Sequence, residues 1–191
     1  MLFYFLYNSA SLALGAAYNN LLLIYIASFS ISLFAFILAF TSIDLQSLAE
    51  CTSPKLAHRG IAIFLFIAGL SLLVWVMDIV VALTRGGIPA NLGPYTTEAT
   101  YTLDLGIILP TVYLAGVLVW RRSSLGTLLA AIVITLNVSI GLVVASQSIM
   151  QFLDGIILKP GEYAAYVAPF VTLSLIAIGL VSNIHRNIIE K

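Results

Sequence analysis

Long apolar runs broken by short polar interruptions make up most of this chain, and few of them show the alternating faces of a surface helix. No charged residue precedes Asp44. Residues 1–43 drawn as one helix would reach ~65 Å, about twice the ~30 Å hydrocarbon core of a bilayer, so the run must fold back on itself. Asn19-Asn20, following Gly15-Ala16-Ala17, marks the break, because asparagine competes for backbone hydrogen bonds and tolerates turn geometry. This predicts helices over about 2–18 and 21–40. A signal peptide ending at Ala17 is the alternative for the first, but the basic segment that such peptides carry is missing. The later runs predict helices over 60–84, 102–120, 125–152 and 163–184. The uncharged stretch from Ser123 to Leu153 leaves the fifth room to tilt. The longer connections are 41–59 and 85–101, and the Gly- and Pro-rich "RGGIPANLGPYTTEAT" reads as a structured loop. Neither a second domain nor an internal repeat is visible. The pattern therefore predicts one all-α domain over 1–191, a polytopic transmembrane bundle of six helices, or five if the first does not cross.

Composition agrees: 61% of residues are hydrophobic and 8% charged, against roughly 25% charged in soluble domains. Zero net charge and no basic stripe argue against nucleic acid as a partner. The lone Cys51 excludes an internal disulfide. With six helices, one end of the bundle receives Lys55, Arg59, Arg121, Arg122, Arg186 and Lys191, and the other only Arg85 and Lys159. By the positive-inside rule the first end is cytoplasmic, with both termini there and the 85–101 and 154–162 loops outside. A five-helix chain would move the N-terminus outside and leave the later loops unchanged.

Two carboxylates lie within apolar helices. Asp104 is 17 residues from Arg121, or ~26 Å along its helix, and Asp78 is 19 residues from Arg59, or ~28 Å, so both belong to one layer just inside the outer edge of the core. Glu98, Asp154 and Glu162 share that end, which makes the outer mouth acidic. One reading is a cation or proton-coupled entry site, with Asp104 and Asp78 as ligands and Asn137 below them. The plainer reading pairs Asp104 with Arg85 or Lys159, or sets it against the positive end of its helix dipole. Thr96–Glu98 could start that helix early and weaken the dipole account. Pro110 and Pro169 should kink their helices and free carbonyls. Asn8, Asn137, Gln147 and Gln151 suit hydrogen bonds between helices. The pairs Ser11/Gly15, Ser28/Ser32, Gly141/Ala145 and Ala164/Ala168 suit close helix contacts. Trp120, Tyr95, Tyr101 and Tyr163 fit an interfacial aromatic belt. "AHRG" at His58–Gly60 could touch a lipid phosphate, but a basic loop end at the cytoplasmic face is the simpler account.

Several chemistries are excluded. His58 and His185 fall at helix ends, not where a b-type haem or an intramembrane serine protease would need them. Every lysine lies in a loop or tail, against a retinal Schiff base. A single cysteine cannot run quinone-linked thiol oxidation. Walker loops and Cys/His clusters are absent, so no catalytic, cofactor or metal residue is assigned.

Three segments carry a resemblance: Tyr7-Asn8 followed by "LGAAYN" (Leu14–Asn19), "LLIYIASFSISLFAFILAF" (Leu22–Phe40) and "LDLGIILPTVYLAGVLVWRRSSLG" (Leu103–Gly126). Together they resemble a family of uncharacterised bacterial multi-pass membrane proteins. Leu103, Asp104, Leu105, Pro110, Ala115, Gly116, Arg121, Arg122, Leu125 and Gly126 carry its most specific pattern. The resemblance implies a membrane location and a bacterial source, hence the cytoplasmic membrane, and no chemistry. The expected function is a non-catalytic unit translocating a small solute or cation, or a subunit of a membrane complex. A membrane enzyme acting on lipid through the acidic outer mouth is the alternative. Its partners would be the lipid bilayer, other membrane subunits or further copies of itself.

Overall fold

The structure, a computed structural model, describes residues 1–89, 99–155 and 159–188. Tyr95, Thr96–Glu98, Lys191 and the side chain of Glu162 lie outside this description. Regular structure among the described residues is helical, with one isolated antiparallel bridge, Thr52 to Ile188, tying the end of the last helix to an earlier loop. We label the helices α1 (Leu2–Gly15), α2 (Leu22–Thr41), α3 (Leu45–Cys51), α4 (His58–Arg85), α5 (Ala99–Trp120), α6 (Ser124–Leu153) and α7 (Ala168–Asn187). Among the described residues α2, α4, α5, α6 and α7 are long and apolar enough to cross a membrane. The chain is thus an all-α bundle compatible with an integral membrane protein.

The six-crossing expectation is modified at α1. Its 14 residues reach only about 21 Å, because the backbone turns extended at Ala16 and does not stay helical to residue 18. Asn19 marks the reversal as expected: its Oδ1 accepts from the Leu21 amide at 2.8 Å, an Asx turn leading into α2. The short α3 was not expected inside the 41–59 connection. Asp44 starts it by accepting from the amides of Gln46 and Ser47 at 3.0 and 3.1 Å.

At the centre, α6 packs on α7 and α5, and α5 packs on the first half of α4. Ala115, Val119, Ala130, Ile134 and Ala177 are fully enclosed along these seams. Glycines allow the close approaches. Phe66 of α4 lies over Gly116 of α5, and Tyr113 of α5 lies over Gly69 of α4. A Cβ on Gly141 would come within 2.1 Å of Ser174 Cβ on α7. Two other small-residue pairs also mark contacts: Gly15 meets Ala99, and Ser9 and Ser32 share a 2.7 Å hydrogen bond between α1 and α2. Ser32 is the one buried residue of α2, whose remaining apolar surface faces outward, as suits a lipid-facing helix.

Two irregularities shape α4 and α5. The α4 ladder breaks at Leu72, where Leu72 N–H bonds to Gly69 O and Trp75 N–H to Leu72 O, three residues apart. The Ser71 hydroxyl takes Ala68 O as well, the back-bonding that disturbs helices without proline. In α5 the residues Asp104–Ile108 form a π-turn closed by Leu109 N–H to Asp104 O. Pro110 comes directly after it, and a proline has no N–H and displaces the carbonyl four residues earlier. The same arrangement recurs ahead of α7, where the π-turn Tyr163–Val167 precedes Pro169. A π-turn thus stands ahead of each of the two prolines expected to kink its helix.

Candidate functional site

Asp104 opens the π-turn of α5, five residues after the helix begins at Ala99, and is 5% exposed. Tyr7 Oη of α1 donates to its Oδ1 at 2.7 Å, and Trp75 Nε1 of α4 donates to its Oδ2 at 2.8 Å. A carboxylate removed from water needs such donors to offset its lost hydration. Asp104 thereby joins three helices at one point. Arg85 and Lys159, the basic residues considered as its charge partners, are both exposed.

Trp75 places this point next to the second carboxylate. Its ring stacks on Tyr101 with centroids 4.8 Å apart and planes 26° from parallel, and Tyr101 Oη donates to Asp78 Oδ2. Asp78 and Asp104 are thus linked through the Trp75–Tyr101 pair. Tyr101 is 7% exposed and so belongs to this core cluster, not to an interfacial belt. Trp120, 50% exposed, fits the belt.

Asp104 and Asn137 line one partly enclosed cavity of ≈ 340 Å³ between α1, α4, α5 and α6, near the lower end of small-molecule sites. Tyr4, Tyr7, Phe64, Trp75 and Phe170 supply aromatic walls, and Asn8 and Ser71 add polar groups. Asn8 is partly engaged, donating Nδ2–H to Tyr4 O at 2.9 Å. Asn137 Oδ1 is buried and has no hydrogen-bond partner. Asp78 is not among the cavity's described lining residues. At the Asp154 end, Val143 and Gln147 line both this cavity and an open cleft that continues past Gln151 to Asp154. Asn137, Val144 and Gln151 fall seven residues apart on α6, as do Ile140, Gln147 and Asp154, so two adjoining rows on one helix face lead from the cleft to Asn137.

Sequence reasoning singled out Asp104 and Asn137 but missed Tyr7 and Trp75, the hydrogen-bond partners of Asp104. Trp75 did carry a signal: a tryptophan inside an apolar helix must place its N–H somewhere, and it stands three residues from Asp78. Among the described residues no group of three His, Cys, Asp or Glu side chains could hold a metal ion.

Comparison with protein-family models, curated proteins and solved structures finds no match to this chain.

Proposed function

We propose that this is an integral membrane protein whose Asp104–Asn137 cavity receives a small cationic solute of the ammonium type, as the binding unit of a translocating system. The carrying observation is the orphaned, buried acceptor Asn137 Oδ1, on a residue that lines the same cavity as Asp104. A buried acceptor without a partner costs about 1–3 kcal/mol, which a donor-bearing guest would relieve. Aromatic walls favour a cation over a neutral solute through their ring quadrupoles. Arg121-Arg122 and most other basic residues gather at the opposite end of the bundle from Asp154. That asymmetry supports a cavity mouth on the outer face of a cytoplasmic membrane, and the motif resemblance supports a bacterial one.

A lipid-processing enzyme is the weaker reading. Acid–base work on an ester calls for a second ionisable group matched to the first. Besides Asp104, the ionisable groups of the described cavity lining are the phenols of Tyr4 and Tyr7, with no second carboxylate, histidine or lysine among them.

The test uses protein reconstituted in proteoliposomes, with methylammonium and tetramethylammonium as probes and Trp75 as an intrinsic reporter. Wild type should show saturable fluorescence change and probe accumulation. Asp104→Asn should lose both while keeping its unfolding temperature within a few degrees. Equal responses from wild type and Asp104→Asn would exclude the proposal.

A further inference from the structure

At the other end of the bundle, α4 begins at His58 with no side chain capping it. The first helical bond is Ile61 N–H to Ala57 O, so the amides of Arg59 and Gly60 precede the ladder and point outward along the axis. Beside them the turn between α5 and α6 places Arg122 at φ 57°, a left-handed position usually given to glycine. Bonds from Arg122 N–H to Val119 O and from Ser123 N–H to Leu118 O fix that turn.

Arg122 and His58 together border two clefts. One, ≈ 600 Å³, also involves Arg59, Gly60 and Trp120. The other, ≈ 240 Å³, adds the hydroxyl residues Ser124 and Thr127. No acidic side chain lines either cleft among the described residues. His58 is 9% exposed, far from the solvated loop end that its sequence position suggests. Its Nδ1 is engaged with Leu56 O at 2.8 Å, which leaves Nε2 as the remaining polar atom of a ring that borders both spaces.

We propose that this cleft pair binds a phosphate-bearing anion. The open amides of the α4 N-terminus, the Arg122 guanidinium and the Arg59 side chain supply donors of one sign. Helix N-termini and guanidinium forks both match phosphate oxygens. Half-exposed Trp120 marks this level of the bundle as the headgroup zone, so the phosphate of an anionic lipid is within reach. A free phosphate ion offers the same chemistry. The site is remote from the Asp104 cavity and independent of what that cavity holds.

The experiment compares wild type with Arg122→Gln, Arg59→Gln and Arg121→Gln. The last removes the same charge from an exposed neighbour that lines neither cleft. Each purified protein is titrated with phosphatidylglycerol in phosphatidylcholine nanodiscs and, separately in detergent, with inorganic phosphate, and thermal unfolding and native mass spectrometry are followed. Phosphatidylglycerol should raise the unfolding temperature of wild type and Arg121→Gln, with the half-saturating amount about tenfold higher for Arg122→Gln and Arg59→Gln. The same pattern with inorganic phosphate, and none with phosphatidylglycerol, would assign the site to the free ion. Should Arg122→Gln not fold, Arg59→Gln decides. Identical titrations for the cleft variants and Arg121→Gln, with both probes, overturn the proposal.

Discussion

Trp75 on α4 donates its indole N–H to Asp104 on α5 at 2.8 Å while its ring stacks on Tyr101, the donor to Asp78. One side chain thus couples the carboxylates of two long apolar helices and ties those helices together. Replacing Trp75 with Phe keeps most of the ring and removes the donor. The expected cost is about 1–2 kcal/mol, between values for hydrogen bonds to charged groups and those measured within membranes, read by unfolding in detergent. In an Asp104→Asn background the cost should shrink. An equal cost in both backgrounds would show that the bond contributes nothing.

Asn137 should separate stability from binding. Its Oδ1 is buried without a partner, so Asn137→Leu removes an unsatisfied acceptor of similar volume and should leave stability unchanged or raise it by about 1–3 kcal/mol. The same substitution should abolish the ammonium response. A destabilised variant would mean that the amide holds the helices together.

At Gly141 the backbone of α6 approaches α7 too closely for a side chain. Gly141→Ala places a methyl 2.1 Å from Ser174 Cβ and 2.9 Å from Phe170 O, and overpacking of this kind costs about 1–3 kcal/mol. Adding Ser174→Gly should restore part of the loss, because it removes the nearer clash and leaves the carbonyl. Additive losses from the two changes would contradict the geometry.

Asp44, the N-cap of the short α3, carries a pH dependence away from the long apolar helices. Its carboxyl sits below the usual carboxylate value, held there first by the Ser47 hydroxyl and then by the Gln46 and Ser47 amides. A lowered folded-state value means that the ionised cap stabilises α3 above the ordinary carboxylate range, and that this contribution fades as pH falls through the lowered value. Asp44→Ala should remove it at neutral pH and flatten the acid limb of α3 order, followed by hydrogen exchange at Gln46 and Ser47. An unchanged acid limb would assign it to another group.

The helical plan was legible because the bilayer demands long apolar segments, and ends such as Leu22, Ser124 and Leu153 fell within two residues of expectation. What escaped the pattern was cross-helix information. The length of α1 depends on where Ala16 leaves the helix, and α3 depends on the Asp44 cap, a local signal overshadowed by the hydrophobic runs. Asp104 stood out as a charge in an apolar run, and Asn137 as a polar residue there. Which donors would meet Asp104 depends on how α1 and α4 pack against α5, which periodicity within one helix does not encode. His58 was misjudged for a related reason: its place at a helix end implied solvent, whereas its ring is buried and engages Leu56 O of the preceding segment.

A π-turn holds one residue more than the α-turn it replaces, and the two among the described residues each stand just before a proline. The segments 104–108 and 163–167 therefore have the geometry of single-residue insertions absorbed without disturbing the helix beyond them. Losing one residue from 105–108 would turn this π-turn into an ordinary α-turn and leave both flanks of α5 in register with α4 and α6. The same deletion a turn further on, in the regular helix after Pro110, would rotate one flank by about 100° against the other. A one-codon deletion at the π-turn would therefore yield a folded protein with Asp104 still facing Tyr7 and Trp75.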